Sequence, residues 1–343
     1  MTRRYGWSLI VSLALVTSNA SAQRVFKGHA PVEITIVTDL KTLLRIRDST
    51  QLRPYAAAVT VPDSSGTRTL SGVLRARGHY RRQSRNCDFP PIRLEFAKGE
   101  VTGSFFQGNR KTKITTNCRP GNPEYEQYVL HEYGVWRMYE ELTDWSFQVR
   151  LARITYKDVK NATPPITSWA FLVEDEDEVA ERNNARVREA KGARFEELEQ
   201  NHLGLVSLFE YLVGNTDWSI GGLHNIRILL DSASMRYVPV AYDWDFSGVV
   251  RTRYATVDPR LPIRNVTDRL YRGDCRPTDQ WTWAFDRFKK RRAAMDAVWD
   301  SIPALDPARV KRTKDYLAEF WPMLEKPDET RRVFARSCEK LGN

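Results

Sequence analysis

The chain of 343 residues is poor in cysteine and histidine, with four Cys and five His. No two cysteines form a C-x-x-C pair, which excludes a zinc ribbon and a thioredoxin-like redox site. So few histidines argue against a metal-dependent phosphohydrolase, a class that usually draws on them. Long hydrophobic runs are missing after residue 22, so no later segment reads as a membrane-spanning helix. Internal repeats and low-complexity tracts are also absent, which excludes a solenoid. Acid is in deficit: 53 Lys and Arg face 43 Asp and Glu, a net charge of +10. Such a surplus points to anionic partners: phosphate, nucleic acid, acidic lipid or acidic protein. The charge is spread along the chain rather than gathered in one tail, so no specific nucleic-acid interface is expected.

What is present begins with a leader. Arg3 and Arg4 open it, residues 7–16 form a short apolar core, and Ala20-Ser21-Ala22 precedes Gln23. That is the outline of a secretory signal peptide over residues 1–22. The chain is therefore expected to be exported, to the periplasm, the cell surface or the medium, with no transmembrane segment after cleavage. An even number of cysteines in an oxidising compartment implies two disulfides. Cys87–Cys118 with Cys275–Cys338 is the most local of the three pairings.

Residues 23–173 are β-rich. Strand patterns cover 32–37, 56–61, 67–77, 92–96, 111–116, 147–156 and 168–173, with a helix-like or irregular stretch at 40–48. One long helix is expected at 124–142, where Tyr128, Val129, Tyr133, Trp136 and Tyr139 form an aromatic stripe. From Glu174-Asp175-Glu176-Asp177-Glu178 onward, over 174–343, the pattern is mainly helical. The acidic run reads as a helix start, since carboxylates favour a helix N-terminus. Amphipathic helices are expected at 281–299 and 307–324, and a loop at 254–276. This is an α+β, two-lobe layout.

The stretch 209–248 interrupts the helical half. A helix end stops at Gly214-Asn215, a polar turn carries Asp217, His224 and Asn225, and strands follow at 226–230 and 237–242. The second strand ends in Asp243-Trp244-Asp245. If the strands form a hairpin, the turn before the first lies beside the turn after the second. Asp217, Asn225, Asp243 and Asp245 then converge at one end of one sheet. Hard oxygen ligands of this kind suit Mg²⁺ or Mn²⁺. Phosphoryl transfer needs such a metal, cations on the phosphates and a carboxylate that orients the nucleophile. Arg75, Arg77, Arg93, Lys111 and Lys113 lie on strands of the β-rich half, where they can face a cleft. The basic loop 81–85 reads as solvated, and His224 as a structural hydrogen-bonder.

Five stretches together resemble the CotH kinase family, relatives of spore coat protein H. They are Arg75-Ala76-Arg77-Gly78, Phe89-Pro90-Pro91-Ile92-Arg93-Leu94, Phe171-Leu172-Val173-Glu174-Asp175, Gly214-Asn215-Thr216-Asp217-Trp218 with His224-Asn225, and Val240-Ala241-Tyr242-Asp243-Trp244-Asp245. They span roughly half the chain, and the last two carry most of the specificity. The resemblance implies a two-lobe protein-kinase-like fold, with a β-rich N-terminal lobe and a mainly helical C-terminal lobe carrying an inserted β-hairpin. It implies ATP and Mg²⁺ or Mn²⁺ as cofactors and a protein or small-molecule acceptor. Asp217 would be the catalytic aspartate, Asn225 the metal-binding amide, and Asp243 or Asp245 the chelating aspartate. Arg93 stands where the family has Lys, with Lys111 or Lys113 as alternative phosphate ligands. Arg77 would face phosphate, Glu132 would be the acid partner on the helix, and Glu174 would lie at the hinge near the adenine. The chain departs from ordinary kinases in lacking G-x-G-x-x-G, V-A-I-K and H-R-D. The stretch from Asp217 to Asn225 is also longer than D-x-x-x-x-N, because Ile220-Gly221-Gly222 extends the loop.

Two expectations follow from different classes. One is an exported atypical kinase that transfers a phosphoryl group from ATP to a protein acceptor. The other is a non-catalytic surface or assembly protein, motivated by the missing glycine-rich loop and by the scarcity of ATP outside the cytoplasm.

Overall fold

A computed structural model describes residues 25–47, 53–64, 66–275 and 281–335. The leader 1–22 and Cys338, with its expected bridge to Cys275, lie outside the described residues. In chain order the elements are β1 (Val32–Thr38), α1 (Leu40–Ile46), β2 (Tyr55–Asp63), β3 (Gly66–Ala76), β4 (Ile92–Phe96), β5 (Lys111–Thr115), α2 (Pro123–Leu142), β6 (Val149–Asp158) and β7 (Ile166–Val173). Then follow α3 (Glu176–Arg182), β8 (Ala185–Arg188), α4 (Gln200–Val213), β9 (Ile226–Asp231), β10 (Tyr237–Ala241), α5 (Thr282–Ser301), α6 (Pro307–Ala318) and α7 (Pro327–Thr330).

The two-lobe protein-kinase-like fold is not what the chain adopts. Strands β1 to β7 close into a barrel in the order β1-β2-β3-β4-β5-β7-β6. Closure comes from β1 and β6, which pair in parallel from Val32↔Ala152 to Thr38↔Asp158. That pairing removes the exposed edges an open sheet would leave. The C-terminal half is not a helical lobe with one hairpin either. Strand β8 adds to the hairpin and makes a separate three-stranded sheet, β10-β9-β8. Nor do the hydrophobic cores divide where the strand-rich sequence ends. One core fills the barrel, with Ile34, Val59, Leu74, Leu94 and Ile154 among its residues. The other unites α2, from the N-terminal half, with α4, α5 and the small sheet. Strands β6 and β7 serve both cores: Ala152 and Leu172 face the barrel interior, while Leu151 and Phe171 face the helices.

The local elements follow from ordinary chemistry. In β4 the burial alternates strictly, with Ile92, Leu94 and Phe96 inside, as a strand with one core face requires. Helix α2 starts at Pro123, with the Asn122 side chain accepting from Glu124 N at 3.0 Å. The acidic run is a cap as expected: Asp175 and Glu178 form a reciprocal capping box at the start of α3. Cys87 and Cys118 are joined in a disulfide. Among the described residues no helix is long and apolar enough to cross a membrane.

Candidate functional site

The hairpin brings its two ends together. Ala241 pairs with Ile226, and Tyr242 N donates to Asn225 O at 3.0 Å. Asn225 and Asp243 flank this junction, and both take left-handed backbone, φ 53° and 68°. Non-glycine residues held there cost free energy and gather at functional sites. Both face a cavity of about 670 Å³ with Asp217, His224 and Asp245.

The opposite wall is the outside of the barrel. Arg75, Arg93 and Lys113 occupy one cross-strand row: Arg75 pairs with Arg93, and Arg93 with Lys113. Like charges side by side destabilise a sheet, and acids offset them. Glu95 lies 3.8 Å from Arg75 and 3.4 Å from Arg93, Asp175 is 2.9 Å from Arg93, and Glu176 pairs with Lys113. Arg93 and Lys113 line the cavity together with Arg77 and Arg81, while Trp136, Phe147 and Val173 supply an apolar side.

Asp217 is held from three directions. His224 Nε2 lies 2.9 Å from its Oδ1. The Asn225 amide donates to its carbonyl at 2.7 Å and its Oδ2 at 3.2 Å. Asn215 Oδ1 accepts from its backbone N at 3.0 Å. The hydrogen bond to Asp217 raises the His224 pKa, against a lowering by partial burial. Behind this loop stands Glu210, 1 % exposed. Its Oε2 accepts from Asn215 Nδ2 at 2.8 Å and from Trp244 Nε1 at 3.0 Å. One buried carboxylate thus joins the Asp217 loop to the Asp243-Trp244-Asp245 turn. Gly248 N also donates to Gly214 O at 3.0 Å, which ties the same two segments by backbone.

Asp243 is half-buried, and no hydrogen-bond donor reaches its carboxylate among the described residues. Burial raises its pKa, and Arg77 and Arg81 oppose the rise. Asp245 is 5 % exposed and accepts from Tyr254 Oη at 3.0 Å. Its carboxyl is pushed well up by burial, then by Asp243 and Glu132. These acids face Arg81, which the sequence reading left in solvent. Arg81 is buried, forms an ion pair with Glu132 at 3.3 Å, and donates to Thr116 O. Glu132, the acid on α2, thus pairs with Arg81 and not with a strand cation. Its pKa rises through burial, with Arg81 opposing.

The structure brings Asp217, Asn225, Asp243, Asp245, Arg77, Arg93 and Lys113 into one cavity. It leaves two candidates out. Lys111 is exposed and pairs with Asp177 at 3.2 Å. Glu174 is fully buried; its carboxylate binds Arg182 at 3.0 Å and accepts from Gln148 N at 2.9 Å. Each is paired with a neighbour, and neither lines the cavity. Sequence reasoning also missed Glu210, since a glutamate in an apolar helix gives no sign of what it caps.

Comparison with protein-family models and with curated proteins finds no match. The site is therefore read from its chemistry. Among the described residues no three His, Cys, Asp or Glu side chains stand together as a ready metal cage. Beside Asp217, which is held by His224 and Asn225, the cavity offers the carboxylates of Asp243 and Asp245 and the amide oxygen of Asn225. That set fits Mg²⁺, which is usually held by one or two carboxylates and completed by phosphate oxygens and water.

Proposed function

We propose that the cavity binds ATP and transfers its terminal phosphoryl group to a hydroxyl of a protein or small-molecule acceptor, in an exported protein. The observation that carries this reading is the unpartnered carboxylate of Asp243 beside Asp217, facing Arg77 and Arg81 across one cavity. The motif resemblance to CotH kinases supports it from the sequence side.

Asn225, Asp243 and Asp245 would hold Mg²⁺ or Mn²⁺, which when bound neutralises phosphate charge. Arg77 and Arg93 would take phosphate oxygens, since a guanidinium is always charged and presents paired donors. The apolar side at Trp136, Phe147 and Val173 would take the base. Asp217 would accept the hydroxyl proton as the new P–O bond forms and the bond to the departing ADP oxygen breaks. His224 and Asn225 hold that carboxylate in place.

The test is incubation with γ-³²P-ATP and Mn²⁺, with casein and a protein extract as acceptors. Label transfer is expected, reduced by roughly 10²-fold or more in Asp217→Asn and Asp243→Asn, in the range typical of a lost general base. Circular dichroism should show both variants folded. Label from α-³²P-ATP instead would move the reading to nucleotidyl transfer. Absence of label from either nucleotide, together with no thermal shift at millimolar ATP, would overturn it in favour of a non-catalytic protein.

A further inference from the structure

A second cavity, of about 150 Å³, lies away from the first, and its lining is basic. Three arginines face it: Arg251 from the segment after Asp245, and Arg309 and Arg312 from α6. On the interior side stands His131 of α2, 4 % exposed. Its Nε2 lies 3.3 Å from Thr313 Oγ1, while its Nδ1 has no hydrogen-bond partner. A buried polar atom without a partner is costly unless a ligand or water satisfies it. Arg312 makes no ion pair or hydrogen bond among the described residues. Arg251 Nε donates to Gly248 O at 2.7 Å, which leaves its terminal amino groups for another acceptor. One acid stands at the rim: Glu124 pairs with Arg253 at 2.7 Å, reaches Arg309 at 3.7 Å, and accepts from Tyr128 Oη at 2.8 Å. Three guanidinium groups against one already paired carboxylate leave the cavity net positive.

We propose that this cavity is a binding site for a single phosphate group, held by Arg251, Arg309 and Arg312 with His131 beneath. The volume corresponds to about five liquid waters at roughly 30 Å³ each, room for one tetrahedral oxyanion and little more. Arginine forks match phosphate oxygens in pairs. Burial, then Arg309, Arg312 and Arg251, push His131 down to about 3. The ring is therefore neutral, and the three guanidinium groups supply the donors to the anion. The site does not rest on the proposed activity of the larger cavity. The segment from Asp245 to Tyr254 touches both, since Tyr254 holds Asp245 and Arg251 faces the second cavity.

The experiment is a phosphate titration of the full chain, at constant ionic strength in chloride, read on the histidine ring resonances. With five His in the chain, His131 is assigned by the resonance lost in His131→Gln. Saturable movement of the His131 resonance is expected. In Arg312→Ala, affinity should fall about tenfold or more, the size of one charge-assisted hydrogen bond. Arg312 is exposed, so this variant should unfold at the wild-type temperature in chloride. A parallel titration with glycerol phosphate separates the sources: tighter binding than inorganic phosphate assigns the site to phosphate esters, and equal or weaker binding assigns it to the free ion. A His131 resonance that stays still while His224 moves would overturn the proposal, because the anion would then occupy the larger cavity. Unchanged affinity in Arg312→Ala would overturn it as well.

Discussion

Glu210 joins two of the segments that form the candidate site, and its own ionisation is unfavourable. Burial pushes its carboxyl up to about 8, with Asn215 and Trp244 opposing and Asp217 adding to the rise. A raised folded-state value means that the folded chain binds the proton more tightly than the unfolded chain. The ionised group's penalty is absent below its ordinary value of 4.5, grows as pH rises, and is complete above about 8. Glu210→Gln keeps a side-chain oxygen for Asn215 and Trp244 and removes the charge. Urea denaturation should show it more stable than wild type by a few kcal/mol near about pH 9, with the gap closing towards about pH 4. Glu210→Ala leaves two buried donors unpaired and should cost roughly 2–4 kcal/mol near pH 7. A flat difference between Gln and wild type across this range would show that Glu210 is not the titrating group. At this scale the sequence was legible wherever chemistry is local. Asp217, Asn225, Asp243 and Asp245 could be singled out because turn residues and strand ends can be read from spacing. Arg81 and Glu132 could not be paired, because they are 51 residues apart and meet only through the path of the chain.

Helix α4 shows how an element places a loop. It ends at Gly214, whose φ of 66° stops the helix in the left-handed region. A Cβ there would overlap Tyr316 Oη, the hydroxyl that donates to Thr267 O at 3.2 Å. Gly214→Ala therefore combines left-handed strain of about 1–2 kcal/mol with overpacking of about 1–3 kcal/mol. Chemical denaturation should report a loss on the order of 2–4 kcal/mol; a loss under half a kcal/mol would mean that Tyr316 moves aside freely. Most element boundaries were readable, since β4 and the cap at Gly214 follow directly from alternation and from glycine. Strand β8 escaped notice: Ala185–Arg188 is four residues with an exposed alternate face, too short to show a period. Helix α6 stops at Ala318, earlier than the apolar pattern implied, and a 3₁₀ turn at Trp321–Glu325 continues it.

At the scale of the whole molecule, the disulfide holds the basic loop against the barrel. Asp88 N and Phe89 N both donate to Cys118 O, at 2.8 and 3.1 Å, so the bridge reinforces an existing junction beside Arg81. Cys87 and Cys118 are 31 residues apart. Replacing both with Ser should lower stability by about 3–4 kcal/mol on the loop-entropy scale, measured as a lower thermal midpoint than the wild type without reductant. An equal midpoint in the variant and the wild type would show that the bridge adds nothing. By itself the sequence determined the periodicities, the caps, the turn chemistry and the convergence of Asp217, Asn225, Asp243 and Asp245 at the hairpin end. All of these depend on residues within one or two elements of each other. Only the tertiary structure decided that β1 meets β6 to close a barrel, that α2 packs with the C-terminal helices, and that Arg81 lies buried against Glu132. Those outcomes depend on which edges and apolar faces find each other across long separations, where many pairings satisfy the same local pattern and the packing of the whole selects one.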